Sequence, residues 1–535
     1  MKKNPIVAEY IRDNRKWVFL LLFITMSGGW IRGIGASWVG KITNHIAADG
    51  ADGLLPMCIT GYFCISLFYA GRTSSAGISA YLAEKLSRET RIKIFRYLNR
   101  ISFREYEQYG AGRLQSIMYN DVAAASELIY IIFARILNNL FLFVFSVYHM
   151  FIADVKATII VVVLAVSAAL LNKMVLNYMQ KPQQKIRSSI ANLTELTESV
   201  FLSMDTIKIL SAKQFVLHVF HKEKEIYNDN QMRSERIDAG RLMFYNLLDN
   251  LSFYISMIYL GHLAISGKMD LGTVFMFIYL IKQIFVPINT FFRCMSAIVK
   301  SNAAWARIYE LLAIGGTEVV LHTGEQKIDN VIFESVNFNY GEHQNILNHV
   351  RVELHRNKIN LLIGESGSGK STLLKIISGL YPCPDAVCYC DGGRQQGGSL
   401  KGRSGFAPSD GRLFCMSIYD NIALGDLRIT REMCTEVIEE LGFGLWLQSL
   451  PAGLDTMVEE KARNFSGGQG QMIGNVRAIL GRQPVLILDE PFSALDKERE
   501  QRLINKLRQM QNEKIILITS HRRDIIDESV NILNF

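Results

Sequence analysis

Charged residues are scarce inside long apolar runs of the first 300 positions of this 535-residue chain. Runs of that length exclude an ordinary soluble fold for the stretch. Cysteine is also scarce. Of eight, Cys58 and Cys64 lie inside apolar runs, which makes a poor disulfide framework. Cys383, Cys388 and Cys390 suggest metal ligands, but Cys388-Tyr389-Cys390 stands where a strand should precede the turn Asp391-Gly392-Gly393. No cleavable signal peptide is expected, because the first apolar run is too long and has no small-residue cleavage site. No nucleic-acid partner is expected either, because the net charge of +8 gathers between particular apolar runs instead of forming one basic face.

What is present divides the chain in two. The hydrophobic fraction is 49% and the mean hydropathy +0.15, high for a soluble enzyme. The last 200 residues alternate strand-like and helix-like stretches with Gly-rich turns. The expected organisation is a multidomain chain: an all-α membrane domain over 1–315, then an α/β domain over 325–535.

A bilayer core about 30 Å thick needs about 20 apolar helical residues. Six stretches qualify, at roughly 17–38, 54–76, 126–150, 156–178, 242–266 and 271–297. The connection Thr43–Gly53 has no Lys or Arg. The next connection holds Lys85, Arg88, Arg91, Lys93, Arg96, Arg100, Arg104 and Arg113, and a second basic connection runs from Lys181 to Arg241. With Lys2, Lys3, Arg12, Arg15 and Lys16, this bias puts the amino terminus, both long connections and the carboxy-terminal domain in the cytoplasm of a multi-pass protein. Both connections have helical periodicity, so the helices should continue past the bilayer. Arg32, Arg135 and Lys282 fall near mid-bilayer with few acids nearby, which predicts a positively charged cavity and an anionic substrate.

In the second half, the strand INLLI runs into Gly364-Glu365-Ser366-Gly367-Ser368-Gly369-Lys370-Ser371-Thr372 and then a helix, a phosphate loop in its required context. Backbone amides and the helix N-terminus suit phosphate oxygens. Lys370 suits the β- and γ-phosphates of ATP and Ser371 suits Mg²⁺. The strand Val485–Leu488 ends in Asp489-Glu490, which should lie at the carboxyl edge of a parallel sheet beside that loop. Asp489 suits Mg²⁺ positioning, and Glu490 suits a general base acting on water. Ser466-Gly467-Gly468-Gln469 before a helix forms a second anion site.

These segments resemble ABC exporters along nearly the whole chain. FREYEQYGAGRLQSIMYND (Phe103–Asp121) resembles the first intracellular loop, ESVFLSMDTIKILSAKQ (Glu198–Gln214) the second, and AAWARIYELL (Ala303–Leu312) the exit from the sixth helix. Phe465-Ser466-Gly467-Gly468-Gln469 resembles the signature LSGGQ, with Phe465 for Leu. The resemblance implies several further roles. Tyr340 would stack on adenine and His521 would contact the γ-phosphate. The signature would bind ATP held by a second half-transporter chain, in a homodimer or heterodimer. Short coupling helices would dock on the ATPase domains. The expected function is ATP-driven export of a peptide, lipid or drug-like substrate, with an ATP-gated channel or regulatory ATPase as the alternative. The sequence also departs from the family. Ser409 takes the usual Gln position, Met457 a usual Glu, and Gly470 and Met472 two usual arginines. The chain ends at Phe535, without the usual final helices. Because the chain enters its first membrane helix by about residue 17, no amino-terminal cysteine-protease domain is expected.

Overall fold

A computed structural model describes residues 5–49, 53–313, 327–339, 345–365, 367–383, 386–395, 399–459, 462–520 and 530–535. Two compact units emerge: Met1–Arg96 with Gly112–Ile314, and Tyr97–Ala111 with Gly315–Phe535.

Among the described residues, the first unit's regular elements are all helices. Its helices, together with one from the second unit, run in chain order as α1 (Pro5–Asp13), α2 (Arg15–Asp49), α3 (Leu54–Leu98), α4 (Phe103–Tyr109), α5 (Ala111–Ala153), α6 (Val155–Leu202), α7 (Met204–Ile209), α8 (Lys213–Ile265) and α9 (Leu271–Ala313). Only α4 belongs to the second unit. Five described segments are long and apolar enough to cross a bilayer: Arg15–Ala48, Leu54–Leu98, Ala111–Ala153, Val155–Val175 and Leu271–Ala313. The fifth expected stretch, 242–266, forms the end of α8 but is not among them. Asp249, Asn250 and His262 dilute its apolar character.

At 45 residues, α3 is about 68 Å long, over twice a bilayer core. The expected overhang past the membrane is therefore present. Two π-turns, Ile117–Asp121 and Ile131–Leu137, interrupt α5, a feature that apolar periodicity does not reveal. At the first, Arg307 of α9 grips buried Asp121 through two bonds, Nε to Oδ2 at 2.8 Å and Nη2 to Oδ1 at 2.6 Å. Ser301 Oγ and Trp305 Nε1 both donate to the carbonyl of Ala125, at 3.2 and 3.1 Å. The segments AAWARIYELL and FREYEQYGAGRLQSIMYND, distant in sequence, thus meet at one latch.

The intramembrane charges differ from expectation in one respect. Lys282 is not a lone cation, because its Nζ lies 3.2 Å from Asp249 Oδ2. Arg32 sits among Phe68, Tyr69 and Tyr279, its Cζ 4.6, 5.5 and 5.3 Å from the three ring centres. Arg135 lies 5.3 Å from the ring of Tyr130. Ring faces thus neighbour Arg32 and Arg135, and a carboxylate neighbours Lys282.

The second unit is built on two sheets. β1 (Asn330–Asn339), β2 (Asn345–His355), β4 (Val387–Cys390) and β5 (Gly393–Gln395) form an antiparallel sheet in the order β2-β1-β4-β5. β3 (Ile359–Ile363), β6 (Ser404–Ala407), β7 (Val485–Leu488), β8 (Ile515–Thr519) and β9 (Val530–Asn534) form a parallel sheet in the order β6-β7-β8-β3-β9. β7 and β8 are buried at every position, as continuous apolar runs demand when both sheet faces are covered. The helices are α10 (Lys370–Ile377), α11 (Ile418–Ala423), α12 (Arg431–Glu440), α13 (Gly444–Ser449), α14 (Gly467–Leu480) and α15 (Lys497–Met510). Cys388 and Cys390 are buried residues of β4, and Asp391 and Gly392 (φ +48° and +81°) turn the chain into β5. They are strand residues, and no metal-ligand cluster occurs among the described residues.

Candidate functional site

In a parallel sheet, every loop at one edge follows a strand's carboxyl end. Here that edge gathers the loop after β3, Asp489 and Glu490 after β7, Ser520 after β8 and Ser409 after β6, with β8 lying between β7 and β3.

The loop Gly364–Gly369 needs its glycines for two reasons. Gly367 and Gly369 have φ of +84° and +102°, and a side chain on Gly369 would strike Ile346 and Leu347. Lys370 opens α10 yet is only 6% exposed. Its Nζ donates to the carbonyls of Gly364 and Glu365, at 2.8 and 2.7 Å. The ammonium therefore holds the loop curled from within. Ser371 is exposed and Thr372 buried. Ser368 Oγ is buried without a hydrogen-bond partner, an unmet polar group in the cradle where phosphate oxygens would sit. Ser366 lies outside the described residues.

Asp489 and Glu490 are fixed by Thr519, a fully buried residue at the end of β8. Its Oγ1 donates to Asp489 Oδ1 at 2.8 Å and accepts from the Glu490 amide at 2.8 Å. The Glu490 carbonyl accepts from Gln471 Nε2 at 2.8 Å. Both backbone groups of Glu490 are thus held while its φ is +49°, a left-handed conformation that costs a non-glycine residue about 1–2 kcal/mol. Thr519 and Gln471 were not singled out from the sequence. Thr519 reads there as one more strand residue, and only its place beside β7 gives it a role.

Ser466 and Gln469 form a reciprocal cap at the start of α14: Gln469 N donates to Ser466 Oγ at 3.3 Å, and Ser466 N donates to Gln469 Oε1 at 2.9 Å. Ser466 and Gly467 are exposed on this chain, so nothing of its own covers that helix start. Phe465 meets Trp446 edge-on at 5.7 Å, which gives the larger ring a partner. Met472 is 1% exposed and belongs to the core, a place where an arginine would be costly. Gly470 lies against Gly411, where an added side chain would come within 2.7 Å of the Gln471 amide. The loop bearing Ser409 therefore approaches α14 backbone to backbone. Ser409 and Met457 are both exposed. Tyr340 and His521 lie outside the described residues.

The segment Tyr97–Ala111 packs within this unit. Its helix α4 is capped reciprocally by Ser102 and Glu105. Phe103 packs edge-on to Tyr381 at 5.8 Å. Glu107 accepts from the Tyr381 hydroxyl and pairs with Lys375 at 3.6 Å. Lys375 belongs to α10, the helix that begins at the phosphate loop.

Comparison with known proteins agrees with this architecture. Residues 18–288 match the ABC transporter transmembrane region and residues 347–493 the ABC transporter model. A Bacillus subtilis ATP-binding/permease protein provisionally named for multidrug export, YgaD, is 25% identical over 85% of this chain and 79% of its own length. Another Bacillus subtilis ABC transporter ATP-binding protein, YwjA, is 24% identical over 98% of this chain and 92% of its own. In fold, the chain resembles a bacterial Atm1-family ABC exporter with ATP bound, with a TM-score of 0.79, 18% identity, and coverage of 97% and 93% of the two chains. The chain belongs to the ABC transporter family, joining that family's transmembrane region and its ATP-binding region in one polypeptide.

Proposed function

We propose that this chain is one half of an ATP-driven exporter in which two chains, identical or related, enclose two ATP molecules. The observation that carries this reading is the sheet edge where the Lys370 loop, Asp489, Glu490 and Thr519 converge, with α4 docked on α10 behind it. In this reading Gly364–Thr372 cradles the phosphates, and Tyr340 stacks on the adenine. Ser371 and Asp489 would hold Mg²⁺, which would supply neutralisation of phosphate charge. Glu490 takes a proton from the attacking water, and His521 steadies the γ-phosphate. Ser466–Gln469, exposed on this chain, completes the site of its partner. Movement at the phosphate loop passes through Lys375 and Glu107 to the chain leading into α5. The α8 stretch 242–266 is the sixth crossing, its Asp249 matched by Lys282. The names of the relatives favour drug-like substrates, with peptides and lipids as the other classes.

Glu490→Gln tests the reading. In inside-out vesicles it is expected to bind ATP as the parent does while losing hydrolysis and ATP-dependent uptake together. Hydrolysis at the parent rate would overturn the assignment of Glu490. Parent hydrolysis of the unsubstituted chain with no uptake of any candidate substrate would favour a regulatory ATPase or channel. Ser409→Gln tests the partner. Serine is shorter than glutamine and reaches a magnesium or water only through an intervening water. A several-fold gain in hydrolysis by the purified single chain is expected. No gain would remove the argument that a second, different chain supplies the stronger site.

A further inference from the structure

A cavity of about 230 Å³ lies between α1 and the lower half of α3, lined in part by Glu9, Asp13, Lys85, Glu89, Thr90 and Lys93. Its walls are fixed. Tyr10 donates through its hydroxyl to the Leu82 carbonyl at 2.8 Å, Lys85 Nζ donates to Asn14 Oδ1 at 2.9 Å, and the Ile6 amide donates to the Tyr309 hydroxyl at 3.0 Å.

Its depth follows from two aromatic residues. Trp17 and Tyr81 touch at 6.2 Å and are 42% and 58% exposed, the pattern of rings at a membrane–water boundary. At 1.5 Å per helical residue, Lys85 and Glu89 lie about 6 and 12 Å beyond Tyr81 toward the cytoplasm. That is the depth of lipid headgroups and the first water beyond them.

The cavity also holds an unmet group. Thr90 is 2% exposed and its Oγ1 has no partner. A helical threonine commonly bonds the carbonyl four residues back, and Thr60 and Thr73 on this same helix do so, to Pro56 and Tyr69. Thr90 alone of the three is left over, and it faces the cavity. Around it stand carboxylates and ammonium groups, and among the described residues no ion pair joins Lys85 or Lys93 to Glu9, Asp13 or Glu89. Charges of both signs that share a cavity without pairing suit a ligand that carries both. Asp13 already lies 3.7 Å from Arg12 Nε, which leaves Glu9 and Glu89 against Lys85 and Lys93, a balance that suits a zwitterion better than an anion without an amine.

We propose that this cavity binds the phosphate–ammonium headgroup of an aminophospholipid of the cytoplasmic leaflet, and so fastens α1 to α3. Lys85 and Lys93 meet the phosphate, Glu9 and Glu89 meet the ammonium, and Thr90 donates to a phosphate oxygen. At about 230 Å³ the space suits a headgroup better than a drug-sized molecule.

The test measures lipid retention on the full chain without nucleotide, so its outcome is independent of the transport reading. Protein equilibrated with mixed phosphatidylethanolamine, phosphatidylcholine and phosphatidylglycerol is weighed by native mass spectrometry. About fivefold preferential retention of phosphatidylethanolamine is expected, the net worth of one ordinary hydrogen bond. Glu89→Gln and Lys93→Gln, both at exposed positions, should each abolish the preference without lowering the thermal midpoint. Equal retention of the three lipids, or an unchanged preference in both variants, would overturn the proposal. So would displacement of the lipid by millimolar soluble phosphoethanolamine, which would make the free zwitterion the ligand.

Discussion

Thr519 of the ATP-binding unit and Ser256 of the membrane unit are both fully buried hydroxyl residues, yet the two units use them in opposite ways. Thr519 has both hydrogen-bonding capacities filled, by Asp489 and by the Glu490 amide. Ser256 Oγ has no partner, nor does Ser252 one turn earlier. Ser75 and Ser79 on α3 repeat the pattern. At the strand end beside Asp489 and Glu490 the hydroxyl bonds two groups and so sets atom positions. On a membrane helix its small volume is what matters, because small residues four apart let a neighbouring helix come close.

The comparison breaks first at Thr519. Thr519→Val keeps the shape but leaves Asp489 Oδ1 without its donor and the Glu490 amide without its acceptor, at about 1–3 kcal/mol each. If Glu490 loses its aim, turnover should fall about tenfold to a hundredfold with ATP affinity nearly unchanged. Thr519→Ser should keep most of the parent rate. Equal kcat in parent and valine variant would show that the Glu490 backbone is held by Gln471 alone.

The second break is at Asp249, the carboxylate that meets Lys282 across α8 and α9. Asp249→Asn leaves Lys282 without its counter-charge, and a lowering of about 1–3 kcal/mol is expected. The double variant Asp249→Asn, Lys282→Gln should recover most of it. Thermal midpoints in detergent for the two single variants and the double variant measure the coupling. Strict additivity would mean that the 3.2 Å pair contributes nothing.

Legibility in the sequence follows the same division. The strand–loop–helix around Gly364–Thr372, the strand end at Asp489-Glu490 and the capped helix start at Ser466 were readable because their residues stand at a fixed spacing that local pattern reveals. Apolar runs and basic connections likewise revealed the membrane half and its orientation. Thr519 and Gln471 were not readable, since their roles come from which strand lies beside β7 and which helix crosses Glu490. The Arg307–Asp121 latch and the π-turns beneath it were hidden for the same reason. Lys282 was misjudged because an acid 33 positions away in sequence is its neighbour across α8 and α9.

A smaller effect concerns Lys514, a buried cation held by backbone carbonyls, with the Glu513 carboxylate as a weaker neighbour. It donates to Ile479 at 3.2 Å and to Gly481, and burial pulls its pKa down from 10.5 to about 8. The unfolded chain therefore holds this proton more tightly than the folded one between about pH 8 and 10.5. Stability should rise with pH through that window as the folded lysine becomes neutral. Relative to Lys514→Met, which lacks the group, a gain of about 2 kcal/mol between pH 7.5 and 9.5 is expected. Thermal midpoints of the two proteins that run parallel across the window would show that the buried ammonium is fully compensated by its carbonyls.

The smallest effect is the sharpest test of the opening contrast. If Ser256 matters for size and not for its hydroxyl, Ser256→Ala removes a polar group that bonds nothing and keeps the helix approach. The thermal midpoint should then match the parent or rise slightly, within about 0.5 kcal/mol. Ser256→Leu keeps the position apolar but adds volume to a fully buried site, and forcing extra methylenes into such a site costs about 1–3 kcal/mol. The order alanine near zero, leucine clearly destabilised is the signature of a spacing residue. A loss on Ser256→Ala as large as that of Thr519→Val would show the Ser256 hydroxyl to be bonded in the membrane-embedded protein, and the two units would then use buried hydroxyls alike. Making the same pair of substitutions at Ser75 separates the two explanations again on α3, where Ser79 repeats the four-residue spacing.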